Sequence, residues 1–469
     1  MKLEKENCTS LSEELEYELL PQTIKDAVKV TLHLGLRHLW VDAFCIVQDD
    51  PLDKLSEISK MSEIYKLALV TISAARAARA EDGFLQPRNL SEEEGEEEIF
   101  EIPFMCQNGR LGHVLLYRSS RNVGWHEPID NRGWTLQESL MSPRLLEFGK
   151  HQVRWRCRSN DLPHEITDGW TPTKIGESEL DIDWDDRHEQ RLLHHNATEY
   201  NVSVSQGIDP AWRVKRGLNR LLQRSSGRRI RLGISGANFI TTWEDVIENY
   251  TNRELSNPQD RLAAISSIAR ELQHVSGHEY VAGLWRHAIP RLLLWRVHKT
   301  GKRPPKYTAP SWSWASVIGA IKFQGFDSVD LKMANVKLLT LMHSDLFSEI
   351  TSGVLQIQGM VSEVMIRRYK EQNPIIAYHR VSFWEPIPGG GPLMGDGYLD
   401  LQADDMDEEI WNERLLLLLV AQVQFSGLIL RRARGGRYCR VGYFDGNTSD
   451  RNLTPAPEPF WTDTIIEIE

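Results

Sequence analysis

The stretch from Asn131 to Glu138 holds the residues whose types and spacing best suit chemistry. Glu138 follows Trp134 by four positions, so on a helix its carboxylate shares one face with the indole ring. This arrangement would make a pocket wall beside an acid. In the alternative interpretation, Trp134 is a core anchor and Glu138 is a charge on the helix surface. Both interpretations start from a predicted helix that begins near Trp134.

Two further polar candidates, Asp42 and Gln48, lie in and just after an apolar run. Residues 39–46 (LWVDAFCI) predict a buried strand, and loop residues follow it. Parallel sheets bind ligands at the carboxyl ends of their strands, which makes Asp42 and Gln48 candidates for polar contacts. Asp42 can equally satisfy backbone donors. Cys45 is either a small core residue or a catalytic thiolate, and the second role requires a histidine within hydrogen-bond reach.

The elements around these candidates alternate between helix and apolar strand. The predicted order is helix 22–34, strand 39–46, helix 53–67 and strand 69–74. This order is typical of an α/β fold, with a parallel sheet covered by helices on both faces. Two strand-like runs, 144–148 and 152–157, predict a hairpin after the Trp134 helix.

Beyond the first third of the chain the pattern changes. The acidic run 91–98 predicts a solvated insertion, and Trp312 and Trp314 are expected in a core. Clean alternation at residues 355–358 and several later apolar runs indicate strands. We therefore predict a first domain over 1–160, a mainly helical region over 161–310 and a β-rich region over 311–469.

Composition excludes several classes of protein. With 469 residues, 41% hydrophobic content and a formal charge of -11, the chain is globular and has no general nucleic-acid-binding face. Five scattered cysteines without metal-ligand spacing predict a reducing, cytoplasmic location and no metal. The most apolar run, 415–430, is short for a membrane span. A glycine-rich phosphate loop is absent, which argues against dehydrogenases and P-loop enzymes.

Four sequence blocks resemble the fungal heterokaryon-incompatibility (HET) domain family. They are 20–27 (LPQTIKDA), 39–50 (LWVDAFCIVQDD), 61–68 (MSEIYKLA) and 132–138 (RGWTLQE). Their order and spacing match, and they cover roughly the first third of the chain. Downstream blocks such as 257–265 (NPQDRLAAI) and 309–316 (APSWSWAS) are similar to those of long fungal proteins that carry this domain.

One feature of the family is missing here. Members usually open with a strand and turn of the form Leu-Ser-Tyr-x-Trp-Gly, and residues 1–19 do not contain it. Loss of a strand from inside a sheet leaves backbone groups unpaired and favours pairing with another chain. The expectation is therefore a truncated gene model, an inactive relative, or a protein that completes its sheet by association.

The resemblance implies a role in fungal non-self recognition and programmed cell death. HET domains are also distantly similar to TIR domains, some of which cleave NAD+ with a glutamate on a helix. By that likeness Glu138 is the catalytic residue and Trp134 shapes the pocket, with Asp42 and Gln48 as further contacts. NAD+ is then a substrate, and no tightly bound cofactor is expected. The alternative is a non-enzymatic signalling or adaptor module that self-associates or binds a protein partner.

Overall fold

The computed structural model divides the chain into two compact units. The first contains Met1–Ile129 and Ser142–Arg213, and the second contains Asp130–Met141 and Val214–Glu469. The structure describes residues 2–87, 100–105, 111–116, 127–150, 153–157, 166–167, 236–298, 301–323, 335–368, 380–386, 392–401, 408–421, 425–433, 435–445 and 461–469. The acidic run 91–98 lies outside these residues, so its prediction as a solvated insertion stays a prediction.

Helices dominate the beginning of the first unit. They are α1 (Cys8–Glu13), a 3-10 turn (Tyr17–Leu19), α2 (Gln22–His33), α3 (Asp42–Cys45) and α4 (Pro51–Leu67). Gly35 follows α2 with a φ of 73°, a left-handed conformation that suits glycine after a helix end. Asp50 caps α4 by accepting hydrogen bonds from the backbone N–H groups of Leu52 and Asp53. The predictions of helices over 22–34 and 53–67 are confirmed.

A small mixed sheet completes the first unit. Its strands are β1 (Thr71–Ser73), β4 (Arg144–Phe148), β5 (Val153–Cys157) and β6 (Ile166–Thr167), in that spatial order, while β2 (Phe100–Met105) and β3 (Leu111–Leu116) form a separate hairpin. The β1–β4 pair is parallel, and β4–β5 and β5–β6 are antiparallel. The predicted hairpin of β4 and β5 is confirmed. Phe148 packs with Val30 of α2 and with Phe84 in the core of this unit.

The prediction of a strand over 39–46 is wrong. Residues 38–41 are irregular, and α3 is a single helical turn. The Asp42 carboxylate accepts a hydrogen bond from the N–H of Ala43 (2.7 Å), a local contact that competes with strand pairing. Leu3 supplies the backbone partners that a neighbouring strand would provide, since its N–H donates to Ala43 and its carbonyl accepts from Gln48 (both 2.8 Å). The described sheet of this unit therefore contains one parallel pair and is not an all-parallel sheet.

The first part of the second unit is helical with short strands. Its elements are α5 (Thr135–Met141), α6 (Gly236–Thr251), α7 (Ser266–Ser276), β7 (Tyr280–Val281), β8 (Leu284–Trp285), α8 (Ile289–Leu292), β9 (Trp295–Val297) and β10 (Ile321–Phe323). Trp243, Trp285 and Trp314 are fully buried in an aromatic core. The indole N–H groups of Trp243 and Trp314 both donate to the carbonyl of Gly283, at 3.1 and 2.9 Å. The prediction that Trp312 and Trp314 lie in a core is confirmed.

The C-terminal part of the second unit is β-rich, as predicted. Its strands are β11 (Asn335–Asp345), β12 (Glu349–Arg368), β13 (Arg380–Trp384), β14 (Pro392–Leu399), β15 (Leu415–Ala421), β16 (Ser426–Arg432), β17 (Tyr438–Asp445) and β18 (Thr462–Ile468). The pairings run β12-β13-β14-β17-β16-β15 and return to β12, which closes a barrel. Apolar side chains such as Phe383, Leu417 and Phe444 fill its interior. Strand β11 pairs with residues 349–358 of β12, and β18 pairs with residues 355–361 of it.

A buried ion pair holds the barrel against the preceding residues. Arg440 is completely buried and donates from Nε to Asp400 at 3.0 Å. Its Nη1 donates to the carbonyl of Leu293 at 2.6 Å, and its guanidinium lies 3.3 Å from the centre of the Trp295 ring. The cation is therefore fully compensated by a counter-ion, carbonyls and an aromatic face.

Within the described part of the chain, no helix has the length and apolar character needed to cross a membrane.

Candidate functional site

The helix that was predicted to begin near Trp134 is present. Helix α5 begins directly after Trp134, and the N–H of Glu138 donates to the Trp134 carbonyl at 3.3 Å. This i to i+4 hydrogen bond places the two residues one above the other on the same helix face. Both are half-buried, whereas Leu136, Leu140 and Met141 are buried. Both residues are therefore partly exposed, on a helix whose other side is packed.

The chain before α5 is fixed by a backbone bridge to residues that follow α6. The N–H of Gly133 donates to the carbonyl of Glu254 at 2.7 Å, and the N–H of Glu254 donates to the carbonyl of Asn131 at 2.6 Å. A Cβ on Gly133 would lie 2.5 Å from the side chain of Leu255, so a larger residue at this position would displace that side chain. The start of α5 is therefore positioned by contacts that are more than a hundred residues distant in sequence.

Side chains hold the helix itself in place. Arg253 donates to the Thr135 hydroxyl at 3.2 Å and lies 3.7 Å from Asp130. Gln137, which is buried, accepts from the N–H of Ser267 at the start of α7, at 3.3 Å. These contacts orient α5 and hence the direction in which Glu138 points.

Asp42 and Gln48 belong to the first unit, whereas Trp134 and Glu138 belong to the second. Asp42 is exposed at the start of α3 and Gln48 is half-buried after it. The Gln48 amide nitrogen donates to the carbonyls of Asp42 (3.1 Å) and Ile46 (3.0 Å), which closes the loop after α3. Both of its N–H groups are engaged, so a ligand contact from Gln48 would come from the side-chain carbonyl oxygen.

Cys45 is the last residue of α3 and is exposed. Within the residues that the structure describes, no hydrogen bond joins this thiol to a histidine. A cysteine hydrolase requires such a base to form the thiolate. The same part of the chain has no cluster of three or more histidine, cysteine, aspartate or glutamate side chains arranged to hold a metal ion.

Asp26 is a buried carboxylate whose role the sequence reasoning missed. It is 2% exposed and accepts hydrogen bonds from the backbone N–H groups of Phe84 (2.8 Å) and Leu85 (3.1 Å) and from Gln22 (2.7 Å). Burial alone would raise the pKa of Asp26, but these hydrogen bonds outweigh burial and leave the pKa below its ordinary value. Gly83, with a φ of 70°, lets the loop approach, because a Cβ there would lie 2.7 Å from the Asp26 carboxylate.

A second buried carboxylate, Glu147 of β4, accepts hydrogen bonds from Arg154 and Arg156 of β5. Glu147 and Arg154 are directly paired across the two strands. The spacing of Glu147 and Arg154 in the predicted hairpin could have indicated this ion pair, since opposite charges at facing positions stabilise a strand pair. Asp26 and Glu147 both hold structure together, so we assign them no catalytic role.

Comparison with known families gives a match over the first part of the chain. Residues 2–138 match the family model described as Heterokaryon incompatibility protein (HET). No curated protein and no solved structure matches the chain. The matched range ends at Glu138 and therefore includes Asp26, Asp42, Gln48 and Trp134.

Proposed function

We propose that the protein acts in fungal non-self recognition and programmed cell death, because residues 2–138 match the heterokaryon incompatibility (HET) family model. We further propose that it signals by cleaving NAD+ at the nicotinamide glycosidic bond. The observation that supports the chemical part is the backbone hydrogen bond from Glu138 to Trp134 at the start of α5, together with the half-burial of both residues.

The proposed reaction is a hydrolysis. The bond between the ribose carbon and the nicotinamide nitrogen breaks, and its electron pair leaves with nicotinamide. A water oxygen bonds to the same carbon and releases a proton, which gives ADP-ribose. Glu138 would accept hydrogen bonds from the ribose hydroxyls and stabilise the oxocarbenium-like transition state, and Trp134 would shape the pocket.

The fold gives partial support to a TIR-like arrangement of the first unit. Helix α2 packs its Val30 against a sheet that contains the parallel pair β1–β4. Asp42 and Gln48 remain second-tier candidates for ligand contacts, and Gln48 would offer its carbonyl oxygen. Substitution of Gln48 by Ala tests that role, although it also removes two hydrogen bonds that close the loop after α3.

The test is nicotinamide release from NAD+ by the purified full-length protein. Glu138→Gln keeps the size of the side chain but removes its charge, so we expect turnover to fall at least a hundredfold, on the order expected for loss of one electrostatic stabiliser. Glu271→Gln on α7 is the matched control, because Glu271 is also a half-buried helical acid in the second unit. Turnover that persists in Glu138→Gln would exclude Glu138 as the catalytic residue.

A second candidate function is non-enzymatic association. The first unit exposes several large apolar side chains, among them Leu19 (62%), Leu32 (65%) and Leu67 (82%), which are suited to contact with another protein. We would express Glu138→Gln and Leu32→Glu in fungal cells and score cell death. Cell death that persists with Glu138→Gln and is lost with Leu32→Glu would favour association. Cell death that is lost with Glu138→Gln and persists with Leu32→Glu would favour catalysis.

A further inference from the structure

Arg261 is a buried cation with unused hydrogen-bond donors. It ends the 3-10 turn Pro258–Arg261 in the block NPQDRL and is 4% exposed. Its Nε and Nη2 atoms are shielded from solvent and have no hydrogen-bond partner. Burial of a guanidinium is costly unless its donors and its charge are compensated. The fold therefore keeps two strong, directional donors without acceptors.

Within the described residues, no carboxylate forms an ion pair with Arg261. The Cζ atom lies 5.5 Å from the centre of the Trp314 ring, a contact that offsets only part of the lost hydration. The Tyr250 hydroxyl donates to the backbone carbonyl of Arg261 at 2.7 Å, so it serves the main chain. Burial also raises the pKa of Tyr250 far above neutrality, and the phenol therefore stays uncharged.

Other arginines of the same unit show what this donor edge is suited to hold. Arg291 donates from Nε and Nη2 to the two oxygens of Glu244, at 2.7 and 2.6 Å. Arg431 donates to the Glu413 carboxylate from the same two atoms, at 2.8 and 2.6 Å. Arg440 does so with Asp400, at 3.0 and 3.2 Å. In each case the parallel N–H groups of the fork match the two oxygens of one carboxylate.

We propose that the Nε and Nη2 edge of Arg261 binds a small oxyanion, a carboxylate or a phosphate group, in the same bidentate manner. Both nitrogens are shielded, so the anion exchanges through local opening of the turn over 257–261. The site belongs to the second unit and is independent of the chemistry proposed for Glu138. An anion bound there stabilises the folded protein, because it binds the native state and not the unfolded chain.

The experiment is thermal unfolding of the full-length protein at constant ionic strength, with sodium chloride replaced stepwise by inorganic phosphate or by acetate. We expect a saturable rise in the unfolding midpoint with at least one of the two anions, and the arm that responds identifies phosphate or carboxylate chemistry. Arg261→Met should show no rise. At low oxyanion concentration this variant should be at least as stable as the wild type, and the order should reverse at saturation.

Two further variants separate fork binding from a general effect of charge. Arg261→Lys keeps the charge but loses the parallel donors, so its response should fall at least tenfold in apparent affinity. Arg431→Gln should respond like the wild type, because the fork of Arg431 is already occupied by Glu413. A midpoint that rises equally in Arg261→Lys, or equally in Arg261→Met, would overturn the proposal.

A measurement on the wild type alone covers the case in which Arg261→Met fails to fold. The responding anion should slow amide hydrogen exchange in residues 257–261 in a saturable manner, since it opposes local opening. No protection of this turn and no shift of the midpoint with either anion would refute the site. Greater stability of Arg261→Met than of the wild type at every anion concentration would show that the buried Arg261 cation only destabilises the fold and binds no anion.

Discussion

Replacement of Asp26 tests how the first unit holds its loop over 79–86. In the native protein one carboxylate oxygen accepts from the N–H groups of Phe84 and Leu85, at 2.8 and 3.1 Å, and the other accepts from Gln22. A hydrogen bond to a charged acceptor is worth roughly 1 kcal/mol more than one to a neutral acceptor, so Asp26→Asn should cost about 2 kcal/mol. Asp26→Ala leaves one buried and one partly buried N–H group without an acceptor and should cost about 4 kcal/mol.

The assay is hydrogen exchange of the Phe84 and Leu85 amides in the full-length chain, followed by mass spectrometry. A loss of about 2 kcal/mol speeds exchange about 30-fold and a loss of about 4 kcal/mol about 1000-fold, if local opening limits exchange. The pKa of Asp26 is lowered in the folded protein, so its contribution is present above the ordinary value of 3.8 and is lost as pH falls through the folded pKa. The difference between Asp26→Asn and the wild type should therefore shrink below about pH 4.

Glu81→Gln is the matched control, because Glu81 is an exposed acid in the same loop. It should leave exchange at Phe84 and Leu85 within about twofold, as expected for a surface substitution. Equal and small effects of Asp26→Asn and Asp26→Ala would refute the reasoning, since they would mean that the two N–H groups do not depend on this carboxylate. A difference from the wild type that persists unchanged at acid pH would contradict the electrostatic part.

Three further perturbations address the second unit. Asp400→Asn leaves Arg440 buried without its counter-ion and should lower the free energy of unfolding by about 3–5 kcal/mol, measured by chemical denaturation. Burial lowers the pKa of the stacked His278 and His287, and the neighbouring His278 lowers that of His287 further, so stability should fall as pH drops below the ordinary value of 6.5. Replacement of either histidine by Gln should reduce that slope. Gly133→Ala should lower the free energy of unfolding by about 1–3 kcal/mol in chemical denaturation, because its Cβ displaces the Leu255 side chain.

Local sequence patterns predicted the elements whose stability is local. The apolar spacing of α2, the Asp50 cap and proline at the start of α4, and the turn between β4 and β5 each act within one element. The spacing of Trp134 and Glu138 is of the same kind, because four positions on any α-helix place two side chains together. These features could be read without knowledge of distant contacts.

The features that the sequence did not predict correctly involve residues whose role depends on distant partners. Residues 39–46 have strand-like composition, yet local hydrogen bonds to Asp42 and Gln48 and backbone contacts with Leu3 fix them as a turn of helix. In the sequence, Asp26 resembles an acid on the surface of a helix. Its hydrogen bonds come from a distant part of the chain, because the backbone N–H of Phe84 is the donor. Closure of the barrel required knowledge that β12 is long enough to pair with β13 and β15 at once. Periodicity reports the face of a strand and not its neighbours.

The position of α5 bears on how the proposed chemistry is divided along the chain. Glu138 is the last residue of the range that matches the family, yet the groups that fix its helix are the backbone of Glu254, the side chain of Arg253 and the N–H of Ser267. A helix of seven residues is too short to be stable by itself in water. The direction of the Glu138 carboxylate is therefore set by residues outside the family range. Substitution of Arg253 should therefore lower any NAD+ turnover that depends on Glu138, although Glu138 itself is unchanged. If the matched range were an independent catalytic domain, substitution of Arg253 would leave turnover unchanged.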